Sequence, residues 1–213
     1  MPVRVTVTVP CGFALAQRKV PGKNIFMGIF MFTMYFGGGI IPFFLLINQM
    51  HLMNTPWAIL LPGACSVWNI IIMRTQFTNI PDGLKEVAMI DGASDFTILS
   101  RILIPLSGSV IAVLVLFSAV GYWNMWYEPM IFLTERAQYP IQSVLREILI
   151  DSSAQMMAGA GNVQTRFNVK TNAAAQTLVK YANIIVCTVP ILIIYPFLQK
   201  YFVKGVMVGS LKG

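Results

Sequence analysis

Residues Asn79 to Pro105 read NIPDGLKEVAMIDGASDFTILSRILIP, a polar, charge-bearing island between two strongly apolar runs. The island holds four of the chain's eight acidic residues, so it lies in water or against a partner. Pro81, Asp82 and Gly83 form a turn signal, after which Leu84, Val87, Ala88 and Ile90 recur at roughly helical spacing. This spacing predicts a short helix that ends near Asp91. Gly92 supplies the left-handed conformation that terminates such a helix, and Ser94 or Asp95 accepts a backbone hydrogen bond to start the next. The island therefore reads as helix, glycine corner, helix. Pro105, after the apolar Ile102, Leu103 and Ile104, is expected in the first turn of the helix formed by the following apolar run.

The composition around the island decides the class. With 56% hydrophobic residues, 11% charged residues and a mean hydropathy of +0.70, the chain has the make-up of a membrane protein, and no polar block is large enough for a soluble domain. The net charge of +7 comes from basic residues scattered between apolar spans; they form no single face for nucleic acid and fit membrane topology instead. Cys11, Cys65 and Cys187 lie far apart in apolar surroundings and read as packing residues. One histidine, His51, and isolated cysteines make no metal cluster. No G-x-x-x-x-G-K-[ST] sequence and no catalytic triad is present, so the chain is expected to be neither an enzyme nor a holder of its own cofactor.

Five apolar stretches frame this picture. Val3 to Ala16, about fourteen positions, is short of the roughly twenty that cross a bilayer and forms a partial span over 3–17. The basic cluster Arg18, Lys19, Lys23 follows it, an order opposite to that of a signal peptide. The second span, 25–47, is interrupted by Gly37, Gly38, Gly39 and Pro42 and is expected to bend or unwind. Such backbone is tolerated where it is buried in protein or lines a wet path, and the glycines alternatively let a neighbouring helix pack closely. The third span, 57–73, is weakened by Pro62 and Gly63 and ends at Arg74; the fourth, 106–123, closes on an aromatic belt of Tyr122, Trp123, Trp126 and Tyr127. In the long polar section 124–177, Ile141, Val144, Leu145 and Ile148 predict a short amphipathic helix, and 152–172 is expected to loop. The last span, 178–202, holds Pro190 and Pro196.

Glu86, Ala88, Gly92, Ile102 and Pro105 match the pattern E-A-A, three residues, G, nine residues, I-x-L-P, with Val87 and Ile104 as apolar departures. The island thus resembles the cytoplasmic coupling loop of binding-protein-dependent ABC importer permeases. Ile90, Asp91, Gly92, Ala93 and Ser94, reading IDGAS, are similar to the carbohydrate branch related to the maltose permease subunit MalG. Phe13 to Arg18 followed by Pro21 and Gly22 resembles the end of that family's second spanning helix, so the chain is expected to lack the first spanning helix and part of the second. The wording of Phe32 to Leu46 and of LQKYFVKGVMVGSLKG, 198–213, resembles the LplC-like subgroup.

The resemblance implies an all-α, MetI/MalG-like transmembrane helix bundle with a cytoplasmic coupling helix pair. It implies ATP hydrolysis on a separate ATPase dimer, a second related permease, an extracytoplasmic solute-binding protein docking on 124–177, and sugar or oligosaccharide cargo. The coupling residues it marks are Leu84, Glu86, Val87, Ala88, Ile90, Asp91, Gly92, Ala93, Ser94, Ile102 and Pro105. Leu84, Val87, Ala88 and Ile90 would fill the floor of a cleft on the ATPase, and Glu86 would pair with a basic residue there, a solvated helix charge being the alternative.

Charge placement gives the orientation independently. Arg18, Lys19, Lys23, Arg74, Lys85, Arg101, Lys200, Lys204 and Lys212 flank the island's side, and the short loop 48–55 carries no Lys or Arg, so the island is expected to face the cytoplasm, in what the resemblance implies is a bacterial multi-pass plasma-membrane protein. The cores of the four clear spans hold no Asp, Glu, Lys or Arg, which disfavours an ion-coupled secondary carrier. The remaining alternative is a truncated membrane interaction protein that transports nothing.

Overall fold

The computed structural model describes residues 2–17, 20–158, 177, 178, 180–193, 195 and 196; the C-terminal signature 198–213 and most of the expected 152–172 loop lie outside them. Among the described residues every regular element is helical. They fall into two compact units, one within Met1–Ala119 and one within Val120–Phe197.

In the first unit, α1 (Pro2–Ala16) packs along the span formed by α4 (Trp57–Gly63) and α5 (Val67–Asn79). The pair touches closely at Gly12, where an added Cβ would lie 2.9 Å from Met73 Cβ and 3.2 Å from the Arg74 backbone nitrogen. Small residues allow such approach between membrane helices. Gly12→Ala is therefore expected to lower stability by about 1–3 kcal/mol through overpacking, read as a fall in the thermal unfolding midpoint of the purified protein. An unchanged midpoint would show that the two helices shift apart at little cost, since neither Met73 Cβ nor the Arg74 nitrogen can move by side-chain rotation.

Trp57–Asn79 is a 23-residue apolar span. Pro62 and Gly63 stay within α4, the helix breaks just after them at Ala64–Ser66, and Ser66 restarts it by accepting a hydrogen bond from the Asn69 N–H at 3.5 Å. Arg74 does not end it. Its Nε donates to the Leu15 carbonyl at 3.2 Å, an orphan acceptor in the last turn of α1, so the charge is satisfied without leaving the helix.

The stretch 25–47 is broken as its glycines require. Helices α2 (Lys23–Tyr35) and α3 (Ile40–Gln49) meet at 115°, with Gly39 at φ 81, a value open to glycine and strained for other residues. Helix α2 buries no residue within the chain. Its apolar side chains Ile25, Phe26 and Phe32 are exposed, an apolar surface of the kind that binds lipid or a partner.

The island follows as α6 (Asp82–Ile90), α7 (Asp95–Ile98), a π-helical segment (Leu99–Leu103) and α8 (Ile104–Leu106), and an 82° bend then leads into α9 (Gly108–Trp123). Pro105 thus sits in α8, before the bend, and α9 begins at Gly108. Pro105 lacks an N–H, so the ladder cannot continue normally past it; just before it the Ile104 N–H bonds Leu99 O in the wider π register. Val9, Met73, Phe77, Ile80, Ala88, Ile98, Leu99, Leu103 and Leu114 form one buried cluster, and Phe13 meets Phe77 edge to face at 6.3 Å. The island's inner face is thereby part of the core.

The second unit contains α10 (Tyr127–Phe132), a single 3-10 turn (Arg136–Gln138), α11 (Ile141–Ala158) and α12 (Lys180–Ile193). Helix α11 continues beyond Asp151, where a loop is expected from composition. Ala154, Gln155, Met156, Met157 and Ala158 all favour helix, which outweighs the two serines before them.

Candidate coupling surface

The island presents two chemically different faces. Ile80 and Pro81 are extended and set α6 at an angle to α5. On the inner side of α6, Lys85 and Ala88 are each 8% exposed, and Ala93 and Ile102 pack against the core cluster. On the outer side, Val87 is 60% and Ile90 83% exposed, with Leu84 beside them. At 3.6 residues per turn, positions 84, 87 and 90 spread across roughly 120° of the helix surface. Three apolar side chains in water on one short helix mark a surface that something covers.

Gly92 turns the chain with φ 75, and nothing lies within 4 Å of where its Cβ would be. Glycine is thus required by the backbone and not by crowding within this chain. Ser94 caps α7 by accepting from the Thr97 N–H at 3.3 Å. Phe96, on the turn that follows, is 77% exposed. Glu86, Asp91, Ser94 and Pro105 are exposed, and Glu86 bonds no described side chain.

Of the residues marked from sequence, Leu84, Glu86, Val87, Ile90, Asp91, Gly92, Ser94 and Pro105 are exposed, Ala93 and Ile102 are partly buried against the core cluster, and Ala88 is buried. Ala88 therefore cannot fill the floor of a partner's cleft. It lies three residues from Lys85 on the inner stripe and packs inside its own chain. Two residues with a stake in this surface escape a reading of the sequence. Phe96 is an aromatic within a charged loop, a signal that could have been used. Lys85 looks like one more cytoplasmic charge, yet its Nζ donates to Phe77 O at 3.1 Å.

Residues 8–208 match the family described as the binding-protein-dependent transport system inner membrane component. The chain belongs to this family. The permease is 39% identical over 211 residues to protein LplC of Bacillus subtilis (strain 168), an alignment covering 99% of this chain and 69% of that protein. It is 40% identical over 201 residues to the polygalacturonan/rhamnogalacturonan transport system permease protein YtcP of the same organism, covering 94% of this chain and 68% of the relative. Among solved structures it is similar to a bacterial ABC transporter involved in the import of the acidic polysaccharide alginate. That likeness has a TM-score of 0.81 at 32% identity, with 95% of this chain and 70% of that chain covered. The permease is accordingly an all-α membrane protein of the MetI-like fold, an ABC importer component that depends on a binding protein.

In the permease's second unit the tryptophans of the aromatic cluster make polar contacts. The Arg146 guanidinium lies 3.4 Å from the centre of the Trp126 ring, Ser143 Oγ donates to Trp126 O at 3.1 Å, and Trp123 Nε1 donates to Cys187 O at 3.1 Å. The tryptophans order this segment through their polar partners as well as by apolar contact.

Proposed function

We propose that the chain is a permease subunit of an ABC importer for sugars or oligosaccharides in a bacterial plasma membrane, driven by an ATPase dimer on separate chains. The observation that carries the coupling role is the two-faced island: Leu84, Val87, Ile90 and Phe96 stand exposed on elements whose inner residues, Ala88, Ile98 and Leu99, belong to the core. A partner that grips the outer face moves the core with it. In this reading the ATPase receives the knob in a cleft, Glu86 pairs with a basic residue there, and ATP is used by that partner while this chain needs no cofactor of its own. A second, related but different permease completes the pore, and a solute-binding protein docks on the outward section 124–177. The sugar class is supported by the polygalacturonan/rhamnogalacturonan permease and the alginate importer among its relatives.

The test is reconstitution of the chain in liposomes with an ATPase, a second permease and a binding protein, offering acidic and neutral oligosaccharides separately. Uptake is expected only with ATP inside and binding protein outside. Uptake that persists without ATP and collapses with the ion gradient would refute the proposal.

A further inference from the structure

The coupling helix is joined to the spans differently at its two ends. On one side only Ile80 and Pro81 separate α5 from α6, both extended, with ψ 129 and ψ 130. Two such residues by themselves form a swivel, and torque on α6 would be lost by turning it. Lys85 bridges this joint. Its Nζ donates to the Phe77 carbonyl at 3.1 Å and reaches Asp82 Oδ1 at 3.4 Å, and the residue is 8% exposed. The Phe77 carbonyl belongs to the last turn of α5, where the helix has no donor of its own to offer and where the helix dipole favours a cation. Lys85 is thus a C-terminal cap on one helix supplied by the next.

On the other side, α6 passes through Gly92 at φ 75. The Ser94 hydroxyl serves α7 through Thr97, and the bond that reaches back is between backbones, from the Ala93 N–H to Ala88 O at 2.9 Å. A lysine three residues from an aspartate is ordinarily a solvated surface pair contributing little. Burial and the carbonyl eight positions back set this one apart.

We propose that Lys85 is a positioning residue for energy coupling: it locks α6 to the end of α5, so that displacement of the coupling helix moves the Trp57–Asn79 span instead of flexing Ile80 and Pro81. From α5 the displacement passes to α1 through the Gly12–Met73 approach and the Arg74–Leu15 hydrogen bond. The proposal rests on the importer reading above.

The decisive measurement is sugar moved per ATP hydrolysed in the complete reconstituted transporter. Lys85→Met keeps the apolar stem and removes the donor. The complex is expected to assemble and hydrolyse ATP, while sugar per ATP falls about tenfold, the scale of losing one hydrogen bond from a charged donor. Lys85→Arg, which can reach the same carbonyl, restores the ratio; Asp82→Asn leaves it near wild type, since that partner is the longer contact. A second readout does not need transport. Spin labels at Thr75 and Met89 in a cysteine-free background are expected to give a broader distance distribution in Lys85→Met than in wild type. An unchanged distribution, an unchanged ratio, or a fall that Lys85→Arg does not rescue overturns the proposal. If Lys85→Met does not assemble, Lys85→Gln replaces it, and failure of both to assemble makes Lys85 a folding residue and overturns the proposal too. Absence of ATP-driven uptake in the wild type would count against the importer reading, leaving the spin-label comparison to decide on the clamp.

Discussion

A transporter carrying Gly92→Pro is expected to lose sugar-stimulated ATP hydrolysis and uptake by about a hundredfold or more, the scale of a proline penalty of about 3 kcal/mol. The chain is still expected to reach the membrane. Gly92 holds φ 75, whereas proline is fixed on the negative side, and the Gly92 N–H that donates to Met89 O at 3.1 Å would disappear. The corner would open and α7 would leave its place relative to α6. Gly92→Asn separates backbone from contact, because asparagine tolerates left-handed φ and the space around the missing Cβ is empty within 4 Å. That variant is expected to insert and fold normally and, if the ATPase packs against this corner, to couple several-fold less well because of its added carboxamide. Coupling at wild-type level in Gly92→Asn would assign the glycine a purely conformational role. Unimpaired transport by Gly92→Pro would remove the lever idea altogether.

The island's helix, corner and second helix are legible in the sequence because their signals are local. Pro81, Gly92 and Ser94 each act on residues within a few positions, and each takes the conformation its side chain dictates. The break in 25–47 is legible for the same reason. What escapes is decided by partners distant in sequence. Arg74 looks like a terminus because a charge after an apolar run usually meets water; the unpaired Leu15 carbonyl, 59 positions away, lets it remain helical. Ala88 matches a helical apolar pattern that is silent about which side of the helix turns inward, and only packing against Phe77 and Ile98 in one cluster settles it. Pro105 misleads by one bend, since the π register before it and the turn at Ser107 postpone the long helix α9 to Gly108.

This division between inner and outer faces gives the sharpest contrast among substitutions on a single helix. Ile90→Asp places a charge on a side chain that is already 83% exposed, so the chain is expected to accumulate in the membrane normally. If Ile90 anchors the ATPase, its loss removes a hot spot of about 2 kcal/mol or more, and co-purification with the ATPase is expected to fall about thirtyfold or further. Phe96→Ala is expected to act in the same direction, because its ring is nearly as open and lies on the next helix of the same knob. Ala88→Asp, two residues before Ile90, is expected to do the reverse. It buries an unpaired carboxylate at a site 8% exposed and so lowers the amount of folded protein before any partner is met. Detergent-solubilised yield and ATPase pull-down, measured on the same preparations, distinguish the two effects. A normal yield with normal pull-down for both Ile90→Asp and Phe96→Ala would show that the two most exposed apolar side chains of the knob, at 83% and 77%, do not anchor the ATPase.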